Sequence, residues 1–212
     1  MNRYITELIG TFFLVFVIGM TVTGGTAMAP LAIGATLMVM VYMGGHVSGA
    51  HYNPAVTIAL YLRGATEKGD VIPYIAAQVF GAWLAATTVQ LLVGETFPVA
   101  PGVDGIAAPL LAEILATFAL CLVIMNVATS KKTEGNSYYG LAIGFTVTAF
   151  AWAVGGVSGG AFNPAVGTGP ILVDTMMGEG SISNLWLYWV GPVLGGLGAV
   201  PVFRFQEGAS AS

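Results

Sequence analysis

The sequence predicts an all-α integral membrane protein of one domain, 1–212, with six membrane-spanning helices and two re-entrant half-helices arranged as an inverted repeat. Three observations carry this expectation. Hydrophobic residues make up 56% of the chain and charged residues 8%, against about 25% charged in a soluble domain, so too few charges exist to solvate a globular surface. One motif is written twice, SGAHYNPAV at 48–56 and SGGAFNPAV at 158–166; aligning 45–56 with 155–166 gives identity at 8 of 12 positions. All six basic residues (Arg3, Arg63, Lys68, Lys131, Lys132 and Arg204) fall where a six-span chain would bring them to one face.

The elements follow in order. Apolar segments at about 5–23, 31–45, 71–93, 110–128, 138–154 and 184–203 are long enough to cross a bilayer. The first reads as a retained span and not a signal peptide, because Glu7 sits inside it and further spans follow. Turn-rich joints fall at 24–30, 63–70, 94–109, 129–137 and 175–183. Two shorter stretches, about 54–62 and 164–173, cannot span and each follows an Asn-Pro pair. Proline suits the first turn of a helix, and Asn is a strong N-cap. Each pair therefore starts a short helix abruptly inside an apolar region, as broken helices do at a membrane midplane.

The halves, about 1–95 and 109–205, match beyond the loops: TELIGTFFLVF (6–16) answers AEILATFALCL (112–122), which puts Glu7 and Glu113 in the same place. Three spans per half make the second copy cross in the opposite direction. By the positive-inside rule the basic face is cytoplasmic, with both termini on it, and the expected location is the plasma (cytoplasmic) membrane. The other face carries Glu95, Asp104, Asp174 and Glu179, so its mouth would not attract anions. Cys121 reads as a small packing residue, and no Cys–His spacing supports a metal site. Tyr4, Trp83, Trp186, Tyr188 and Trp189 read as interfacial anchors or lipid-facing packing. Gly191, Gly195 and Gly198, with Ala82, Ala85 and Ala86, form rows that let helices approach closely. The tail at 206–212 is low in information.

Two Asn-Pro-Ala triplets in opposed halves (Asn53, Pro54, Ala55 and Asn163, Pro164, Ala165), with Glu7, Glu113, the SGAHYNPAVT segment at 48–57, Gln78, and Gly191-Pro192, resemble the aquaporin (major intrinsic protein) family over essentially the whole chain. The resemblance implies a right-handed helical bundle, a homotetramer with one pore per subunit, and half-helix tips that meet mid-membrane with both Asn amides in the pore. It also implies a passive channel for water and small uncharged solutes such as glycerol, urea or ammonia, with no cofactor and with membrane lipid, not nucleic acid, as surroundings. Half-helix N-termini each carry about +0.5 of a charge and together repel cations. Carbonyls of the extended stretches before the triplets, Gly49, Ala50, His51 and Tyr52, and Gly159, Gly160, Ala161 and Phe162, would line one wall as acceptors. Glu7 and Glu113, costly at membrane depth unless satisfied, read as anchors for the loop N–H groups, with a proton relay as the weaker reading. His51 takes a loop position typical of the family, and His46 reads as a polar packing residue.

The chain departs from the family after the second triplet. Most members carry Arg there, at the narrowest constriction; this chain has Val166, followed by Gly167 where glycerol channels have Asp. Ungapped register puts Ile33, Ala151 and Gly160 at the other filter positions, with Trp152 competing with Ala151. The expected filter is apolar and wide, so a water-only pore is disfavoured. Three rivals remain. A secondary transporter shares inverted repeats and broken helices, but no intramembrane carboxylate beyond the symmetric pair is present to couple an ion. An ion-conducting member of the same fold is less remote without the arginine. An intramembrane serine protease would use Gly156-Val157-Ser158-Gly159, yet no histidine follows His51 to serve as base.

Overall fold

A computed structural model describes residues 1–177 and 180–208. Eight α-helices are present among these residues: α1 (Asn2–Thr23), α2 (Ala29–Ser48), α3 (Pro54–Arg63), α4 (Lys68–Val93), α5 (Ala107–Ile124), α6 (Tyr139–Ser158), α7 (Pro164–Met177) and α8 (Leu187–Glu207). Six helices among them are long and apolar enough to cross a membrane, and α3 and α7 are the two half-helices. A π turn, Met125–Thr129, continues α5 towards α6.

Each half is a copy of the other. Helix α1 packs on α4 as α5 packs on α8, and α2 crosses α6 between the halves. Small residues set these approaches. A Cβ on Gly81 would strike the Leu8 carbonyl, and one on Gly195 would strike the Ile114 carbonyl, the matching place in the second half. At the α2–α6 crossing, Gly34 faces the carbonyl of Gly144 and Gly144 faces the carbonyl of Gly34. Gly191 abuts Glu113, and Ala82, Ala85 and Ala86 are buried. Gly198 has only ordinary contact with Phe118, so the small-residue row loosens there.

Contacts collect the basic residues at one end. Arg3 pairs with Asp70 at 2.6 Å, Arg63 Nε donates to Thr129 at 2.9 Å, Arg204 donates to the Leu62 carbonyl at 2.7 Å, and Lys132 donates to the Glu207 carbonyl at 2.9 Å. Both ends of the described chain lie here, and this end is called the terminal side. On the opposite side, loop 94–106 folds over the second re-entrant loop: Gly102 N–H donates to the Val157 carbonyl at 3.0 Å, and Thr96 donates to Asp174. Glu179 of the predicted acidic face and residues 209–212 of the predicted tail lie outside the described residues.

Several expectations change. The tail begins later than 206, because Gln206 and Glu207 complete the last turn of α8, where they accept hydrogen bonds from Asn126 and Ser130. Tyr188 is not an interfacial anchor. It is fully buried, its hydroxyl donates to the Ser158 carbonyl at 2.6 Å, and Gly167 leaves room for its Cβ. Tyr4 donates to Asp70 and Trp189 to Thr168, which gives both polar partners inside the protein. His46 is exposed in the last turn of α2, not packed. Cys121 is buried beside Gly196.

Candidate functional site: two re-entrant tips on one pore

The re-entrant loops are built by buried carboxyl groups. Glu7 Oε1 accepts from Ser48 Oγ at 2.6 Å and His51 N–H at 3.0 Å; Oε2 accepts from Tyr52 N–H at 2.7 Å and Gln78 Nε2 at 2.8 Å. Glu113 repeats the pattern in its own half, accepting from Ser158 Oγ at 2.7 Å, Ala161 N–H at 3.0 Å and Phe162 N–H at 2.6 Å. Tyr74 and Tyr188 then hold the Ser48 and Ser158 carbonyls at 2.8 and 2.6 Å. Ser158 is thus bound to a carboxyl group as a scaffold member, with no histidine beside it to activate it.

These bonds hold strained backbone. The stretches predicted as extended are instead largely left-handed, with φ of +84, +51 and +51 at Gly49, Ala50 and Tyr52, and of +90, +68 and +51 at Gly159, Gly160 and Phe162. A left-handed non-glycine residue costs roughly 1–2 kcal/mol, and an internal hydrogen bond contributes about 0.5–1.5 kcal/mol. The two backbone N–H groups bound by each carboxyl therefore offset the strain beside them. The halves differ around Thr57. Thr57 Oγ1 donates to the Asn53 carbonyl, receives Gln78 Nε2 at 3.0 Å and stands 3.1 Å from His51 Nδ1. The matching positions in the second half are Ala161, Gly167 and Pro192.

Beyond these loops the half-helices meet tip to tip. Asn53 caps α3, its Oδ1 accepting from Ala55 N–H at 2.9 Å and Val56 N–H at 3.4 Å; Asn163 caps α7 through Ala165 N–H at 2.9 Å. The amides then cross between loops: Asn53 Nδ2 donates to the Phe162 carbonyl at 2.9 Å, and Asn163 Nδ2 to the Tyr52 carbonyl at 2.8 Å. An amide nitrogen carries two hydrogens. One is used in the crossing bond, and the other is the donor that each tip offers to the space beside it.

That space is a cavity of about 230 Å³, lined by both Asn tips, by residues 50–52 and 159–162, and by Ile33, Ala151, Gly160 and Val166. All four predicted filter residues reach one cavity. Trp152 faces outward with 54% exposure, whereas Ala151 lines the cavity. The helical wall was not picked out residue by residue from the sequence: Leu14, Ile18, Leu37, Leu120, Ile124, Ile143 and Val147 form much of it. Their signal was available in the repeat, because Leu14 and Leu120, or Ile33 and Ile143, occupy matching places in the two halves. A second cavity, about 550 Å³, opens on the terminal side and shares Ala50, Val56, Ile124 and Ile143 with the first. Among the described residues no three His, Cys, Asp or Glu side chains stand together as a metal site.

Comparison with known proteins gives a consistent result. A family profile described as major intrinsic protein matches residues 1–203. Aquaporin NIP1-1 of Zea mays is 38% identical over 97% of the chain and 76% of its own length. Probable aquaporin AqpM of Archaeoglobus fulgidus is 34% identical over 96% of each. Among solved structures, the aquaglyceroporin of Plasmodium falciparum superposes with a TM-score of 0.84 at 23% identity, covering 98% of this chain and 96% of that one; at that identity the likeness speaks for the fold.

Proposed function

We propose, from the premise that this chain belongs to the major intrinsic protein family and is a multi-pass membrane protein, that it is a passive channel for water and small uncharged solutes of the size of glycerol, urea or ammonia. Members of that family are channels and not enzymes. The single observation that carries the reading is the cavity into which both Asn tips and all four filter positions open.

The physical roles follow from the geometry. Two half-helix N-termini aimed at one point repel cations. A solute oxygen at the tips accepts from Asn53 and Asn163 and so turns its own hydrogens away from a continuous proton wire. Ile33, Ala151, Gly160 and Val166 would form the filter, which offers no charged side chain and no side-chain donor and so does not select by hydrogen bonding to side chains. Homotetrameric assembly, a plasma-membrane location and cytoplasmic termini complete the proposal; the orientation is supported by the collection of basic side chains on the terminal side. Stopped-flow measurements on proteoliposomes, with gradients of water, glycerol and urea and an internal pH dye, test it. Passage of water and at least one of the larger solutes without proton leak is expected. Permeability to water alone, or proton current, would refute it.

A further inference from the structure

We infer that the size limit of this pore is set on the terminal side of the Asn tips, by a ring of Val41, Ala50, Val56 and Ile143, and not by the opposite-side filter; the inference rests on the channel reading above. The inverted repeat carries Ile33, Ala151, Gly160 and Val166 onto Ile143, Val41, Ala50 and Val56, 110 positions away in either direction. All four images line the terminal-side cavity, and Ala50, Val56 and Ile143 line both cavities, so they stand where one chamber gives way to the other. The four are 1–7% exposed, with Val41 at 3% and Val56 at 1%.

The two rings share one isoleucine and one valine each. They differ at the remaining pair, Ala151 with Gly160 against Val41 with Ala50. Valine adds two carbons to alanine, and alanine adds one to glycine, so the terminal-side ring holds three more carbon atoms around the same two-fold frame. Packed interiors register a difference of a single methylene. The ring that holds them is the narrower. Both rings carry only apolar side chains, so no side chain in either compensates a solute for lost hydration, and the tighter one dominates the barrier.

The test compares the permeability ratio of erythritol to water in proteoliposomes bearing Val41→Ala, Ala50→Gly or Ile33→Ala. Val41→Ala should raise the ratio about fivefold, equivalent to about 1 kcal/mol of barrier, and by more than Ile33→Ala on the opposite side does. Ala50→Gly carries the same expectation should Val41→Ala fail to fold, because Ala50 has a φ of +51 that glycine adopts freely. A ratio that follows Ile33 and ignores the terminal-side variants overturns the inference but leaves the channel reading intact. Wild-type vesicles closed to both water and glycerol overturn the channel reading itself.

Discussion

Replacing Glu113 should unfasten the second re-entrant loop, by an amount that depends on the replacement. The side chain accepts from Ser158 Oγ and from the N–H groups of Ala161 and Phe162, and it is fully buried. Alanine leaves both N–H groups without an acceptor. Each orphaned buried donor costs about 1–3 kcal/mol, so the two together cost roughly 2–6 kcal/mol; the Ser158 hydroxyl can rotate to another partner and is left out of that figure. Glutamine keeps one oxygen but turns an NH₂ towards the Phe162 N–H, so about 1–3 kcal/mol is lost. The left-handed strain at Phe162, where φ is +51, is then unopposed and the Asn163 tip shifts. Thermal unfolding of detergent-purified protein should rank wild type above Glu113→Gln and both above Glu113→Ala, with water flux falling in the same order. Glu7→Ala should fall further, since Glu7 also holds Gln78. If Glu113→Ala kept the wild-type midpoint and flux, the carboxyl group would not be what holds the loop.

Two further outcomes follow from the same geometry. Val166→Arg should lower glycerol permeability more than water permeability, because a guanidinium adds bulk and five fixed donors where valine has two methyls; a charged group at membrane depth costs about 2.5–3.5 kcal/mol on insertion scales, so a lower unfolding midpoint should accompany it, and unchanged solute selectivity would remove Val166 from the permeation path. Asn163→Asp keeps the oxygen that caps α7 but loses the bond to the Tyr52 carbonyl and places a negative charge between the two positive helix ends, so an internal pH dye should report a proton leak absent from the wild type, and a silent dye would refute the electrostatic barrier.

The half-helix starts were legible because Asn-Pro has a local meaning: a cap followed by a residue whose missing N–H costs nothing in the first turn. Glu7 and Glu113 were legible because two carboxyl groups in matched apolar contexts demand partners. The left-handed loops were not, because Ala50, Tyr52 and Phe162 are poor candidates for positive φ, and only the distant carboxyl groups make that backbone affordable. Tyr188 was misplaced because a tyrosine near a span end looks the same from the sequence whether it anchors at the interface or reaches inward to the Ser158 carbonyl. The apolar pore wall was hidden for a related reason. Leu120 or Ile143, on a helix apolar on nearly every side, has no clear periodicity to mark which face meets the pore and which meets lipid.

The most direct test of the central claim, that water and solutes share one pore past the Asn163 tip, is mercurial block of Val166→Cys. The native thiol, Cys121, is buried with 1% exposure and does not line either cavity, so the wild type supplies a silent background. A small mercurial should abolish water and glycerol flux together in Val166→Cys proteoliposomes, reducing agent should restore both, and wild-type vesicles should be unaffected. Flux of either solute that survives the block would contradict it.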